Sequence, residues 1–268
     1  CMFPSIGDLS LNRITRSVME NAANAVAAMA IGRASTEIAN DAQQLIGVSS
    51  FGGTAACVDR VSERLVSAGY EVIHFHASGP GGRALESLAE AGELAGVIDV
   101  TTHELTDLIV DGVYSAGDGR LKSAGAAGLP QIVIPGALDH ANFWVGEVPE
   151  RYAAREFFKY NAQNILMRTN ADEFRTLGKL VADRVSAARG PVVVMIPTRG
   201  YSEHTKRMTQ DLDGSEIGPW NQPEVDSAFV ESLRTHLDDA KLVEFDAHIN
   251  DVEFADACVD KFLVMIGG

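Results

Sequence analysis

Residues 45–77 read LIGVSSFGGTAACVDRVSERLVSAGYEVIHFHA. Leu45–Val48 is an apolar run of strand length. Gly52-Gly53-Thr54 follows where a strand would hand over to a helix. From Thr54 the apolar residues Cys57, Val58, Val61 and Leu65 recur at helical spacing, and Gly69 marks the stop. YEVIHFHA (70–77) is then a second strand. A strand, a glycine turn, an amphipathic helix and a strand in this order form a βαβ unit, which requires parallel strands.

The alternation continues along the chain. GGRALESLAEAGE (81–93) reads as a helix and AGVIDVTT (95–102) as a third strand. GRLKSAGAAG (119–128) reads as a short helix and LPQIVIPGA (129–137) as a fourth strand. NILMRT (164–169) is a fifth strand, followed by the helix ADEFRTLGKLVADRVSAA (171–188). PVVVMIP (191–197) is a sixth. PEVDSAFVESLRTHL (223–237) is a helix with proline at its start, and KLVEFDA (241–247) is a seventh strand. The chain closes on the helix DVEFADACVDKFLVMI (251–266), whose acidic positions read as a solvated face. Strands that are apolar throughout and alternate with helices predict an open, doubly wound, mostly parallel α/β sheet of about seven strands. An eight-stranded βα barrel is the nearest alternative, but the strand count and uneven connections disfavour it. Residues 9–33 carry Leu11, Ile14, Val18, Ala22, Ala25, Val26 and Met29 at helical spacing, with Asp8 or Ser10 as N-cap. The division expected is a linking helix over 1–40 and a Rossmann-like α/β lobe over 41–268. The stretch Arg199–Gln222 is long for a loop, and loops of that length are often functional.

Bulk properties narrow the function. With 22 Lys and Arg against 37 Asp and Glu, the chain of 268 residues carries a formal charge of −15, which disfavours nucleic acid as a partner. No apolar run approaches the eighteen or so residues of a membrane span. Three cysteines without a CxxC pair suggest neither a zinc motif nor a disulfide framework, so a cytoplasmic setting is expected. The chain begins Cys-Met, which reads as a piece of something longer.

In an open α/β sheet, ligands bind beyond the carboxyl ends of the strands. Ser50, Gly52, Gly53 and Thr54 follow the first strand. His76, Ser78, Gly79, Gly81, Gly82 and Arg83 follow the second, and His103 and Glu104 the third. Gly136, Asp139 and His140 follow the fourth, Arg168 the fifth and Arg199 the sixth. His248, Asn250 and Asp251 follow the seventh. Two glycine turns that each open a helix suit a phosphate or carboxylate, and the three arginines could add charge-assisted bonds. FGGT can equally be a tight turn capped by Thr54. It is not a P-loop, and HASGPGGR is not a dinucleotide fingerprint. His76, His140 and His248 are candidate general acids or bases, with Asp139 or Asp251 orienting a histidine. Metal binding by these histidines with Asp139, Glu104 or Asp251 lacks an HxH or HExxH spacing, so no metal is expected. Cys57 is either an activated thiol at a helix dipole or a small buried residue.

LNRITRSVMENAANAVAAMA (11–30), the stretch SSFGGT to RALESL (49–88), VIPGALDHANF (133–143) and FDAHINDVEFADA (245–257) resemble the Tm-one-like ATP-binding family, relatives of the tomato mosaic virus resistance protein. The resemblance covers nearly the whole chain. It implies two Rossmann-like lobes, of which this chain carries the linking helix and the second, with the N-terminal lobe absent. It also implies ATP or another phosphorylated ligand in the cleft between lobes, and a homodimer. It carries over no catalytic residues. Two functions follow as expectations: a domain binding a nucleotide or small phosphorylated or carboxylated ligand, or an enzyme of hydrolase or lyase type acting on a small anionic metabolite.

Overall fold

A computed structural model describes residues 12–35 and 43–267. The first unit is one helix, α1 (Arg13–Ser35). Asp8 and Ser10 lie outside the described residues. The cap is Asn12, whose Oδ1 accepts from the N–H groups of Ile14 at 2.9 Å and Thr15 at 3.1 Å, two of the orphan donors of the first turn.

The second unit contains β1 (Leu45–Ser50), α2 (Ala55–Ser67), β2 (Glu71–His76), α3 (Pro80–Glu90), β3 (Gly96–Thr101), α4 (Glu104–Val110) and α5 (Ser123–Ala127). Then come β4 (Gln131–Gly136), β5 (His140–Trp144), β6 (Phe157–Lys159), β7 (Asn164–Arg168), α6 (Ala171–Ser186) and β8 (Val192–Pro197). β9 (Met208–Gln210), β10 (Glu216–Pro219), α7 (Pro223–His236), β11 (Leu242–Phe245) and α8 (Val252–Ile266) complete it. The main sheet is parallel, in the order β11-β8-β4-β3-β1-β2. β3 and β4 are buried at every residue, as expected for strands covered on both faces. On one face Val58, Val61 and Leu65 of α2 pack with Phe254, Val259 and Phe262 of α8. On the other, Phe174, Leu177 and Val181 of α6 pack with Phe229 and Leu233 of α7, and α3 and α5 cover the β1–β2 end. The chain leaves β1 for β2 on one side and for β3 on the other. This reversal of strand order is the switch point where such sheets open a crevice.

The main sheet has six strands rather than about seven. NILMRT becomes β7, which belongs to a second, antiparallel sheet in the order β10-β9-β6-β7-β5. A buried strand with an apolar centre of three residues, Ile165, Leu166 and Met167, looks alike in either sheet, so periodicity could not assign it. The Arg199–Gln222 stretch is partly ordered as a short 3-10 turn and the β9–β10 pair. The acidic face of α8 is not merely solvated: Asp256 pairs with Arg60 and Arg64 of α2, and Asp260 with Arg64.

Beneath the carboxyl end of β3 lies a fully buried arginine. Arg120 Nε donates to Glu104 Oε2 at 2.6 Å, and its terminal nitrogens to Asp99 Oδ2 at 2.5 Å and Oδ1 at 2.6 Å. Its third carboxylate neighbour is Glu86 at 3.5 Å. Glu86 also accepts the N–H groups of Leu121, Lys122 and Ser123 at the start of α5. Removing one partner of such a cluster strands buried charge, at a cost of about 3–5 kcal/mol. Arg120→Met is therefore expected to lower unfolding free energy by about that amount in urea titrations.

Candidate functional site at the switch point

The β1 turn opens with Phe51, and Gly52–Thr54 form one 3-10 turn leading into α2. Thr54 does not cap the helix. Its hydroxyl is bonded to Thr101 Oγ1 of β3 at 2.7 Å and to Phe51 O at 3.1 Å. The N–H groups of Gly52 and Gly53 meet no acceptor among the described residues. Asn250 ties this turn to the start of α8: its Nδ2 donates to Gly53 O at 3.0 Å, and its Oδ1 accepts from Cys57 N at 3.3 Å. Cys57 itself is buried, which pushes its thiol up to about 12. It is a packing residue and not an activated nucleophile.

The second glycine turn is already filled. Glu104 Oε1 accepts from the N–H groups of Gly79 at 2.6 Å and Gly82 at 3.2 Å. A Cβ on Gly82 would lie 2.1 Å from Glu104 Oε2, and one on Gly81 would lie 1.9 Å from His76 O. The anion that the HASGPGGR turn attracts is thus the protein's own carboxylate at the start of α3. Burial raises the Glu104 carboxyl, with Arg120 opposing. Gly79 has φ of +95°, a conformation that favours glycine.

Other candidates are also engaged within the fold. Arg83 is exposed and donates to Ser115 O. Arg168 is buried, and its guanidinium bonds Trp220 O, Asp139 O, Thr169 O and the Asp226 carboxylate. Arg199 pairs with Asp246 on the surface. Ser50 Oγ reaches Phe75 O at 3.5 Å, and Ser78 Oγ reaches His76 O at 3.4 Å. Gly136 serves close strand packing, since a Cβ there would meet Val100 O at 2.0 Å. His248 has both ring nitrogens engaged, Nε2 by Ser202 O at 2.9 Å and Thr205 Oγ1 at 3.1 Å, and Nδ1 by the N–H of Asn250 at 3.1 Å. Asp251 Oδ2 accepts from His248 N at 2.8 Å. The His248–Asp251 motif is therefore a strap, not an acid–base pair.

What the fold does gather is a cavity of about 230 Å³ at the carboxyl ends of β1 and β2. Phe51, Gly52, Gly53, His76, Tyr114, Asn142, Tyr160, Asn161, Asn164, Leu166 and His204 line it. Half of this lining comes from the second sheet and its loops. Behind Phe51 lie two buried histidines. Phe51 stacks on His103 with ring centroids 4.1 Å apart and lies 6.2 Å from His140. His140 Nδ1 is 3.0 Å from Asp139 Oδ1, while Asp139 Oδ2 accepts from Ser202 Oγ at 2.7 Å and Trp220 Nε1 at 2.8 Å. Burial tends to raise the Asp139 carboxyl, but the His140 hydrogen bond and nearby cationic groups override it and hold it well below the carboxylate range. An ionised Asp139 fixes the proton of His140 on Nδ1. Nε2 is left as a buried acceptor without a partner.

His103 has no partner at either nitrogen, and burial, followed by the proximity of His140 and Arg120, keeps it neutral. Its Nε2 is 3.8 Å from Asp107 Oδ2. Asp107 is fully buried. Its Oδ1 accepts from Tyr114 N at 3.1 Å and Asn142 N at 3.2 Å, and its Oδ2 is unpartnered. Burial pushes this carboxyl up to about 8, against the two N–H bonds. His204, buried and facing His140, is pushed down to about 4. Among the described residues no group of three or more His, Cys, Asp or Glu could hold a metal ion.

Phe51, Asp107 and His204, with the asparagines and tyrosines, are the site residues that strand-end reading did not single out. His103 stood among the strand-end histidines. Asp107 carried no signal, because α4 had not been recognised.

Residues 43–266 match the family described as "Uncharacterised protein family (UPF0261) C-terminal domain". The chain belongs to this family. It is 39% identical over 266 residues to the UPF0261 protein of Rhizobium meliloti, covering 97% of the chain and 64% of that protein. The UPF0261 protein of Clostridium tetani is 37% identical over 269 residues, with 99% and 64% covered. The ToMV resistance protein Tm-1(GCR237) of Solanum lycopersicum is 34% identical over 270 residues, covering 98% of the chain and 35% of the tomato protein. The chain spans less than two thirds of the length of these relatives. No helix of this UPF0261 chain among the described residues is long and apolar enough to cross a membrane.

Two outcomes follow. Gly82→Ala crowds Glu104 and should cost about 1–3 kcal/mol in urea unfolding, while leaving small-anion affinity at the cavity unchanged. The second concerns pH. Below the ordinary carboxyl value of 3.8, Asp107 is protonated folded and unfolded alike. Between there and about 8 only the unfolded chain ionises, so Asp107 lowers stability as pH rises and then levels off. Asp107→Asn removes that loss, so its melting temperature relative to wild type should rise steadily from pH 4 to pH 8.

Proposed function

We propose that this UPF0261 domain binds a small carboxylated or singly phosphorylated molecule in the cavity at the carboxyl ends of β1 and β2. The observation that carries this reading is the pair of unclaimed N–H groups, Gly52 and Gly53. Both glycines, in the 3-10 turn that leads into α2, line a cavity whose other walls are mostly hydrogen-bonding and aromatic side chains. Backbone donors at a helix start favour an anion. The corresponding position at α3 holds Glu104, so the fold itself supplies an example of the same chemistry satisfied by a carboxylate.

Size and charge narrow the ligand. About 230 Å³ is below the ~300–1,000 Å³ of sites that enclose drug-sized molecules. It suits a short metabolite or the phosphate end of a larger one. Neither lysine nor arginine lines the cavity, so a triphosphate would bring more charge than it can match. ATP, which the family resemblance suggests, would fit here only by its terminal phosphate, with its nucleoside outside.

The test is a thermal-shift titration with inorganic phosphate, ADP, ATP and a panel of 2-oxo and 2-hydroxy acids. Saturable stabilisation approaching about 2.7 kcal/mol at a hundredfold excess over Kd is expected for a bound anion. Gly52→Val, whose side chain points towards Tyr160, should abolish the shift while leaving the unliganded melting temperature within a few degrees. Absence of a shift with every member would overturn the reading.

A further inference from the structure

Two imidazoles lie side by side behind Phe51, with ring centroids 5.8 Å apart. Each has its own aspartate beside it, His140 hydrogen-bonded to Asp139 at 3.0 Å and His103 at 3.8 Å from Asp107; His140 Nε2 and both nitrogens of His103 have no partner. We propose that these two pairs form a proton-transfer site for a 2-oxo acid bound in the cavity, with His140 as proton acceptor and Asp107–His103 as proton donor. The inference rests on the anion-binding reading, because a carboxylate held by Gly52 and Gly53 would set the adjacent carbons beside Phe51, behind which the histidines lie.

The roles follow from the different surroundings of the two aspartates. Asp139 accepts three hydrogen bonds, from His140, Ser202 and Trp220, and offers no proton of its own. It stabilises an imidazolium at His140, so Nε2 can take a proton. Asp107 has one oxygen bonded by two backbone N–H groups and the other bare and facing His103. Burial keeps it in the acid form at neutral pH. Acid and base are thus separated by environment, as they are where paired titratable groups divide the work of a reaction. Covalent chemistry has no evident nucleophile here: the Ser202 and Thr54 hydroxyls are bonded within the fold, and both described cysteines are buried with raised thiol values.

The step is enolisation. His140 Nε2 removes a proton from C3 of the 2-oxo acid, the C–H electron pair becomes the C2=C3 bond, and the carbonyl π pair moves onto oxygen. That oxygen takes the proton on His103 Nδ1, while His103 Nε2 takes one from Asp107. No oxidant or co-reactant is consumed. Neither imidazole lines the cavity itself; Phe51 does and covers both rings, so the step requires its half-buried ring to swing aside and admit the substrate's C3 end.

The test is deuterium wash-in at C3 of pyruvate, 2-oxobutyrate and 2-oxoglutarate in D2O, followed by proton NMR beside a binding titration of the same acids. Exchange at least a hundredfold above buffer is expected for one of them. His140→Asn should remove it without weakening binding, and Asp107→Asn should reduce it. Saturable binding with exchange no faster than buffer would overturn proton transfer and leave the binding reading standing. Neither binding nor exchange would overturn both. Exchange that persists in His140→Asn overturns the assignment of the acceptor. Imidazole nitrogen shifts of the wild-type chain give a check that needs no variant. His140 must carry its proton on Nδ1 at neutral pH, and the opposite tautomer overturns the proposal.

Discussion

A single buried guanidinium sets what the carboxyl end of the main sheet can become. Arg120 has no water to solvate it and is matched by carboxylates from β3, α3 and α4. Removal of three such carboxylates from water is tolerable only because each also collects neutral donors. Asp99 takes the Ser49 hydroxyl, Glu104 the Gly79 and Gly82 N–H groups, and Glu86 three N–H groups of the α5 start. Strand β3 and helices α3, α4 and α5 are thereby fixed to one another by charge rather than by apolar packing alone. Glu104 is held at one end of α4, and His103 and Asp107 lie just before and within the same short helix. The geometry of the candidate site therefore inherits its rigidity from Arg120.

The same network divides the two glycine turns. At α3 the helix start is satisfied from inside, and its glycines are required by the closeness of Glu104 and the His76 carbonyl. At α2 the first donors are left open, while Asn250 ties the turn from behind. Two turns with similar composition thus have opposite relations to solvent. The difference is made by residues far away in sequence.

This explains what the sequence could and could not disclose. The βαβ alternation, the parallel sheet and the covering helices are local patterns, and they were legible. The identity of β7 was not, since an apolar run does not state its pairing partner. His140 beside Asp139 was visible as neighbours in sequence, and their hydrogen bond is in the structure. Arg168, Arg199 and His248 were equally plausible beside strand ends, yet each is spent on contacts formed only when distant segments meet. Asn142 and Asn164 belong to the second sheet, and Asn161 and His204 to segments that connect its strands or lead into them, which no periodicity announced. Asp107 was hidden because a seven-residue helix after a strand gives too few turns to reveal a period.

The cavity walls belong to two separate hydrogen-bond ladders. Phe51 and His76 follow strands of the parallel sheet, whereas Asn142, Asn164 and Leu166 sit on the antiparallel one. Among the described residues no strand pairing crosses from one sheet to the other. A change in the width of the cavity would break side-chain contacts and leave every ladder intact. The cavity thus lies along the seam between the two ladders.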